Sequence, residues 1–180
     1  KTYPVMRKYL DDWIPRWTNK DGDAYEQTLT SGLDDWLPPE GVPTLNALTS
    51  TAYYAHLVRI AAESARVLGK PEDAARYEAL FGRIRNDFNA RFFGPAGYYR
   101  EKDSEPFVQS AQIFALAFDL VPKEKRASVA DRLAEDIMKN RAGHAYVGVL
   151  GARWVLPVLT ATGHHDVAFT VATQSSEPSW

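Results

Sequence analysis

The chain has 180 residues, enough for one sizeable domain, and a domain of this length buries roughly 70% of the surface of its unfolded form without help from metals or disulfides. It is 45% hydrophobic and 24% charged with a net charge of −2, so no electrostatic case exists for a nucleic-acid or anionic-membrane partner. With no cysteine, disulfides and cysteine–zinc sites are excluded, while the compartment stays open.

No apolar run reaches membrane-spanning length, and the start lacks the pattern of a signal peptide. Because the sequence begins at Lys1 rather than Met and stops just after a Pro-Ser pair, both ends read as cuts in a longer polypeptide.

Over residues 3–13, Val5, Met6, Tyr9, Leu10 and Trp13 recur at helical spacing, and Pro15 is expected to end that helix. From 14 to 46 no period is sustained. Its centre, Gly32-Leu33-Asp34-Asp35-Trp36-Leu37-Pro38, is too apolar for a linker, so an ordered loop is expected.

Residues 49–68 form the most helical stretch, with Tyr53, Leu57, Ile60, Ala61, Ser64 and Leu68 on one face. Thr49 or Ser50 is the expected cap and Gly69 the expected stop. Pro71 opens the next helix with Glu72 and Asp73 in its first turn, and Ala74, Tyr77, Leu80, Phe81, Ile84 and Phe88 mark its apolar side. Tyr98-Tyr99-Arg100 reads as a short extended piece.

A helix over 107–120 carries Gln109 and Gln112 on one side. Pro122 opens its partner, where Val129, Leu133 and Ile137 give a clean i,i+4 stripe. After a break holding His144 and Tyr146, residues 150–162 are almost wholly apolar, predicting burial on more than one side, with Pro157 costing a backbone bond or causing a kink. A last helix covers 166–173.

Three times, then, an apolar helix meets a Gly or Pro turn and a charged, amphipathic helix leaves it. The predicted fold is all-α: stacked helical hairpins with inner and outer shells, a partial (α/α)6 toroid or an open solenoid.

Asp34, Asp35 and Trp36 are the first candidates for chemistry, since a carboxylate beside an aromatic ring suits a sugar's hydroxyls and its C–H face. From the residues alone a structural reading is favoured, in which Trp36 plugs its own loop and one aspartate caps a turn. Neighbouring aspartates diverge, so they cannot straddle a glycosidic bond, which needs carboxyls about 5–9.5 Å apart. Glu101, Asp103 and Glu105 read as a solvated loop edge. His144 either donates to a sugar hydroxyl or bonds a backbone carbonyl in its turn, His56 reads as structural, and His164 and His165 read as helix-start residues. No metal-ligand cluster, phosphate cradle or Gly-x-Ser-x-Gly elbow is present in the sequence, so no cofactor is expected.

At the Asp35-Trp36 loop the chain resembles the middle of the catalytic (α/α)6 barrel of bacterial α-L-rhamnosidases, of the glycoside hydrolase group 78 type. The likeness covers essentially all 180 residues. It rests on the order of Gly32-Leu33-Asp34-Asp35-Trp36-Leu37-Pro38, Ala52-Tyr53-Tyr54, Leu68-Gly69-Lys70-Pro71-Glu72-Asp73, Ile84-Arg85-Asn86-Asp87-Phe88, Gln109-Ser110-Ala111-Gln112, His144 with Gly148 and Gly151, and Pro178-Ser179-Trp180.

The resemblance implies that Trp36 is an aromatic platform of the −1 rhamnose pocket, with Asp35 and His144 as further substrate-binding residues. It departs at Asp34, where the family has glycine, so a different backbone path is expected there. The family's general acid and general base fall outside this chain, which implies no catalytic residue within it, a wall-and-platform role, and inactivity in isolation. The implied partners are a rhamnose-terminated glycoside and the remaining parts of the same polypeptide. Another (α/α)6 exo-glycosidase, or a helical-repeat scaffold that binds protein, are the alternatives. A barrel piece should gather Trp36, His144 and Gln112 around one mouth.

Overall fold

A computed structural model describes residues 2–19, 24–39, 41–43 and 45–179. Trp180, the last residue of the Pro-Ser-Trp motif, lies outside the described residues.

Seven α-helices follow one another: α1 (Tyr3–Lys8), α2 (Asn46–Val67), α3 (Pro71–Phe92), α4 (Gln109–Ala117), α5 (Arg126–Glu135), α6 (Val149–Ala161) and α7 (His165–Ala172). Among the described residues the only extended pairings are the isolated bridges Thr18 with Leu29 and Phe93 with Tyr99. The all-α expectation of stacked hairpins in a partial toroid therefore holds. Helices α2 and α3, α4 and α5, and α6 and α7 pair off, while α4 also packs against both α2 and α6. That makes α2, α4 and α6 the inner layer.

Local chemistry explains the turns. At the end of α2, Gly69 takes φ +65°, the Lys70 N–H reaches the Ala65 carbonyl at 2.9 Å and the Gly69 N–H reaches Arg66 at 3.1 Å. This paired closure needs a left-handed residue, which glycine supplies without a Cβ penalty. Pro71 then occupies the first turn of α3, where a missing N–H costs nothing.

Layer position decides burial. Between two inner neighbours and its outer partner, α4 is buried from Gln109 through Leu116. The expected stripe of α5, Val129, Leu133 and Ile137, is fully buried, and its charged residues face outward.

Several expectations are corrected. Over α1 and the turns that follow it, Val5, Tyr9 and Trp13 are 50–70% exposed while Tyr3, Leu10 and Ile14 pack inward. Pro15 does not end that segment: a five-residue π-turn (Tyr9–Trp13) leads into a 3-10 turn (Ile14–Arg16) that takes proline at an early position, where no N–H is needed. On α2 the buried face is centred on Ala52, Ala55, Val58, Ala62 and Ala65, whereas Ile60 and Leu68 are exposed. Small side chains there let α3 and α4 come close, with Leu48 and Tyr54 buried beside them, Ala61 buried as expected, and Tyr53 and Leu57 partly buried at the edge of the core.

α6 buries only Gly151, Val155, Val158 and Leu159, because it packs on α4 and α7 and its third side is open. The helix continues past Pro157, which necessarily lacks the bond to Arg153. Finally, α2 begins at Asn46 and neither Thr49 nor Ser50 caps it. Its cap comes from Glu101, whose Oε2 accepts the N–H groups of Ala47 at 3.1 Å and Leu48 at 3.2 Å. The loop-edge reading of Glu101 fails for the same reason, although Asp103 is solvated and pairs with Arg100 at 2.8 Å.

Within the stretch from Trp17 to Leu45, the described residues around Thr28 and Leu29 are tied to two helices. Arg91 from α3 holds Thr28 and the Leu29 carbonyl at 2.7 and 3.0 Å, and the Leu29 N–H donates to Thr51 at 2.9 Å.

Candidate functional site

The loop carrying the candidate residues is tied down at successive points. The Ser50 hydroxyl donates to the Leu33 carbonyl at 3.2 Å, and a Cβ at Gly32 would fall 1.9 Å from that hydroxyl oxygen. Only glycine lets the loop lie this near α2. Asp34 accepts the Leu45 N–H at 2.8 Å, just ahead of α2. Among the described residues the positive-φ non-glycine positions are Tyr25, Leu37, Asp119 and Ala142, so Asp34 does not adopt a left-handed backbone.

Asp35 faces inward and is 3% exposed. Its carboxylate accepts the Gly148 N–H at 2.7 Å, the Gly151 N–H at 2.9 Å and the hydroxyl of Ser110 from α4. Those two amides belong to the first turn of α6, where unpaired N–H groups and the helix dipole favour a negative charge. One residue on, the Trp36 carbonyl accepts the Val149 N–H at 2.8 Å. The Trp36 side chain, by contrast, is 68% exposed and stands beside the exposed Leu37. The backbone at 35–36 is thus anchored while the indole is presented outward.

Beside this loop lies a cleft of about 490 Å³ whose walls include Tyr9, Trp17, Leu33, Ser50, Tyr53 and Leu150. Trp36 is not one of its walls. Next to the cleft, the indole N–H of Trp154 reaches the Tyr53 hydroxyl at 3.2 Å, and His56 stacks on Phe118 with ring centroids 4.4 Å apart. Burial raises the Tyr53 phenol above its ordinary value, and burial with the nearby Arg59 holds the His56 imidazole below its own. Both are neutral near pH 7, so His56 has the structural setting expected of it.

His144 sits in the break before α6 and is 9% exposed. Its Nδ1 lies 2.9 Å from the Pro178 carbonyl and its Nε2 3.4 Å from the Ser176 hydroxyl. A carbonyl only accepts, so Nδ1 carries the proton and Nε2 accepts. The ring does bond a backbone carbonyl, but one from the segment after α7 rather than from its own turn. Gln112 lies far from any mouth: it is fully buried, accepting the Tyr99 N–H at 2.9 Å and donating to the Tyr99 carbonyl at 2.8 Å. Gln109 likewise props the break, donating to Asp136 and accepting the Tyr146 N–H, both at 2.8 Å.

The structure therefore brings the 35–36 loop against the start of α6 and leaves the His144 ring and the Gln112 amide in bracing roles, so the expected gathering of Trp36, His144 and Gln112 around one mouth is not seen. It turns the Asp35 carboxylate away from solvent, so this residue acts through the backbone it holds. Glu101, Ser110 and Gly151 are positioning residues that residue-by-residue reading missed, because each works across a long sequence separation. Asp34, Asp35 and Glu101 all spend acceptor oxygens on backbone N–H groups. Among the described residues no group of three or more His, Asp or Glu is placed to hold a metal ion.

Three two-layered hairpins, with a loop bearing an exposed aromatic ring fastened to the start of an inner helix, define a segment of an α/α-hairpin toroid. Residues 1–180 match the family model described as the bacterial alpha-L-rhamnosidase 6 hairpin glycosidase domain, and the chain belongs to that family. An alpha-L-rhamnosidase of Streptomyces avermitilis is 36% identical over 180 residues, covering 97% of this chain and 16% of the relative. The crystal structure of a Streptomyces avermitilis alpha-L-rhamnosidase complexed with L-rhamnose superimposes with a TM-score of 0.81 at 34% identity, over 99% of this chain and 16% of that one. The alpha-L-rhamnosidase structure from Dictyoglumus thermophilum gives 0.83 at 29% identity, over 99% and 19%. The chain thus spans a fifth or less of the length of these relatives.

Proposed function

We propose that this chain is part of a catalytic domain that removes terminal α-L-rhamnose from glycosides with inversion, and that it supplies pocket wall and aromatic platform rather than the acid and base. The observation that carries this reading is the exposed indole of Trp36 on an anchored backbone. A rigid, outward-facing ring offers the C–H side of a deoxysugar an apolar face at little entropic cost. Family membership supports the substrate class, and so does the relative whose structure is described as complexed with L-rhamnose.

Under this reading two carboxyl groups from other parts of the polypeptide flank the bond. One protonates the glycosidic oxygen and the other activates water on the opposite face, with roughly 6.5–9.5 Å between them. The remaining hairpins of the six-hairpin domain complete the ring and cover the open side of α6.

The test compares the complete polypeptide with Trp36→Ala on a chromogenic α-L-rhamnoside, using α-glucoside and α-mannoside controls. Loss of a stacking anchor of this kind costs about 2 kcal/mol, so kcat/KM should fall about thirtyfold. Unchanged rhamnoside turnover removes the platform role, and turnover of the controls in place of the rhamnoside removes the substrate assignment. The 180 residues alone should turn over none of them.

A further inference from the structure

We infer that Asp35 is the positioning residue of the proposed sugar platform: its buried carboxylate sets the place of the Trp36 indole by clamping the loop to α4 and α6 at once. This rests on the reading of Trp36 given above and adds the device that would make that ring rigid.

The geometry is specific to a carboxylate. Three donors converge on two oxygens: the Gly148 N–H at 2.7 Å, the Gly151 N–H at 2.9 Å and the Ser110 hydroxyl. A carboxylate only accepts, and both of its oxygens are in use. An asparagine would have to turn an NH2 group toward at least one of these donors and leave it unmatched. The two glycines permit the approach. A Cβ at 148 would meet the Trp36 carbonyl oxygen at 2.4 Å, and one at 151 would meet the nearer Asp35 carboxylate oxygen at 2.7 Å.

Trp36 is in consequence held from both sides. The clamp fixes the residue before it, and its own carbonyl is bonded to Val149 at 2.8 Å. With both flanking peptide units fixed, the direction in which the indole leaves the chain is fixed too. Asp34, its neighbour, is spent on the approach to α2.

A double-mutant cycle in the complete polypeptide tests the assignment, read as kcat/KM on the chromogenic rhamnoside with kcat and KM separated. Asp35→Asn should lower kcat/KM about tenfold and Ser110→Ala about threefold, with KM taking most of the change. Neither should add a further loss once Trp36 is alanine. A 5-fluorotryptophan resonance assigned to position 36, by its disappearance in Trp36→Phe, should shift or broaden in Ser110→Ala. Should Asp35→Asn fail to fold, Ser110→Ala carries the same cycle with the clamp loosened rather than removed.

Equal losses in the presence and absence of the Trp36 ring would overturn the inference, as would an unmoved fluorine line together with wild-type kinetics in Ser110→Ala. A failed platform looks different. In that case Trp36→Ala itself keeps wild-type kcat/KM, and the fluorine line alone then decides: a moved line keeps Asp35 as the holder of the ring, and an unmoved one rejects it.

Discussion

Single acidic side chains do much of the joining in this molecule. Glu101 and Asp35 cap the starts of two inner helices from distant parts of the sequence, 54 residues away for Ala47 and 113 for Gly148. Replacing Glu101 with alanine leaves two N–H groups of α2 without their acceptor. The expected cost is about 1–2 kcal/mol of stability, together with faster amide hydrogen exchange at Ala47 and Leu48, measured by thermal unfolding and exchange mass spectrometry. Unaltered exchange in that first turn would show that the cap is not Glu101. Legibility at this scale follows distance along the chain. The Gly69 stop and the Pro71 start act on their own neighbours and could be read directly, and the exposed Trp36 could be picked out from its loop. The acceptors for α2 and α6 could not, because a remote cap leaves no local pattern, and so Thr49 and Ser50 stood in for Glu101.

Between elements, the attachment of α1 illustrates how charge and packing share the work. Asp11, in the turn after α1, receives both terminal nitrogens of Arg76 on α3 at 2.9 Å and the Tyr77 hydroxyl at 3.2 Å, while the Tyr3 hydroxyl reaches Asp73 at 2.8 Å. Burial works against ionisation of Asp11, but the hydrogen bond and charge of Arg76, helped by Tyr77 and Arg7, hold its carboxyl below the usual aspartate value. A pKa lower in the folded than in the unfolded chain gives stability that is present above the unfolded value, about 3.9, and is lost as the pH falls through the folded one. Melting temperature should therefore drop below about pH 4, and Asp11→Asn should be less stable at pH 6 yet show a shallower acid dependence. An identical acid slope in the variant would remove Asp11 from the account. The helices themselves were legible from their apolar period, yet the phase on α2 was not. Bulky Tyr53, Leu57 and Ile60 outweigh alanine in any reading by hydrophobicity, whereas close helix packing selects Ala52, Ala55, Ala62 and Ala65.

At the scale of the whole molecule, three hairpins give a well-filled interior and an unfinished exterior. Leu33, Val67, Trp17 and Phe169 are 83%, 87%, 56% and 71% exposed, and the cleft beside the loop is open. Contiguous exposed apolar surface normally meets another surface. The 180 residues on their own should brighten an environment-sensitive apolar dye strongly, and the complete polypeptide should do so weakly; equal signals would mean that no further hairpins cover these faces. The repeat of inner and outer helices was readable because layer position imprints composition, as the buried α4 and the charged α5 show. How far α6 is enclosed was not, since an apolar helix looks the same whether its neighbours are present or still to be added.

The contact between Asp35 and Gly148 also carries a consequence for how the molecule is made. Three of the donors that shape the early loop, Gly148, Val149 and Gly151, lie at the start of the third hairpin, so during synthesis the residues around Trp36 leave the ribosome long before the surface that gives them their form. Contacts of such span close late, after the loop entropy has been met by nearer pairings. The Trp36 ring would then be among the last features to take its place, and a chain halted short of residue 148 would have paired helices but an unshaped loop around that ring.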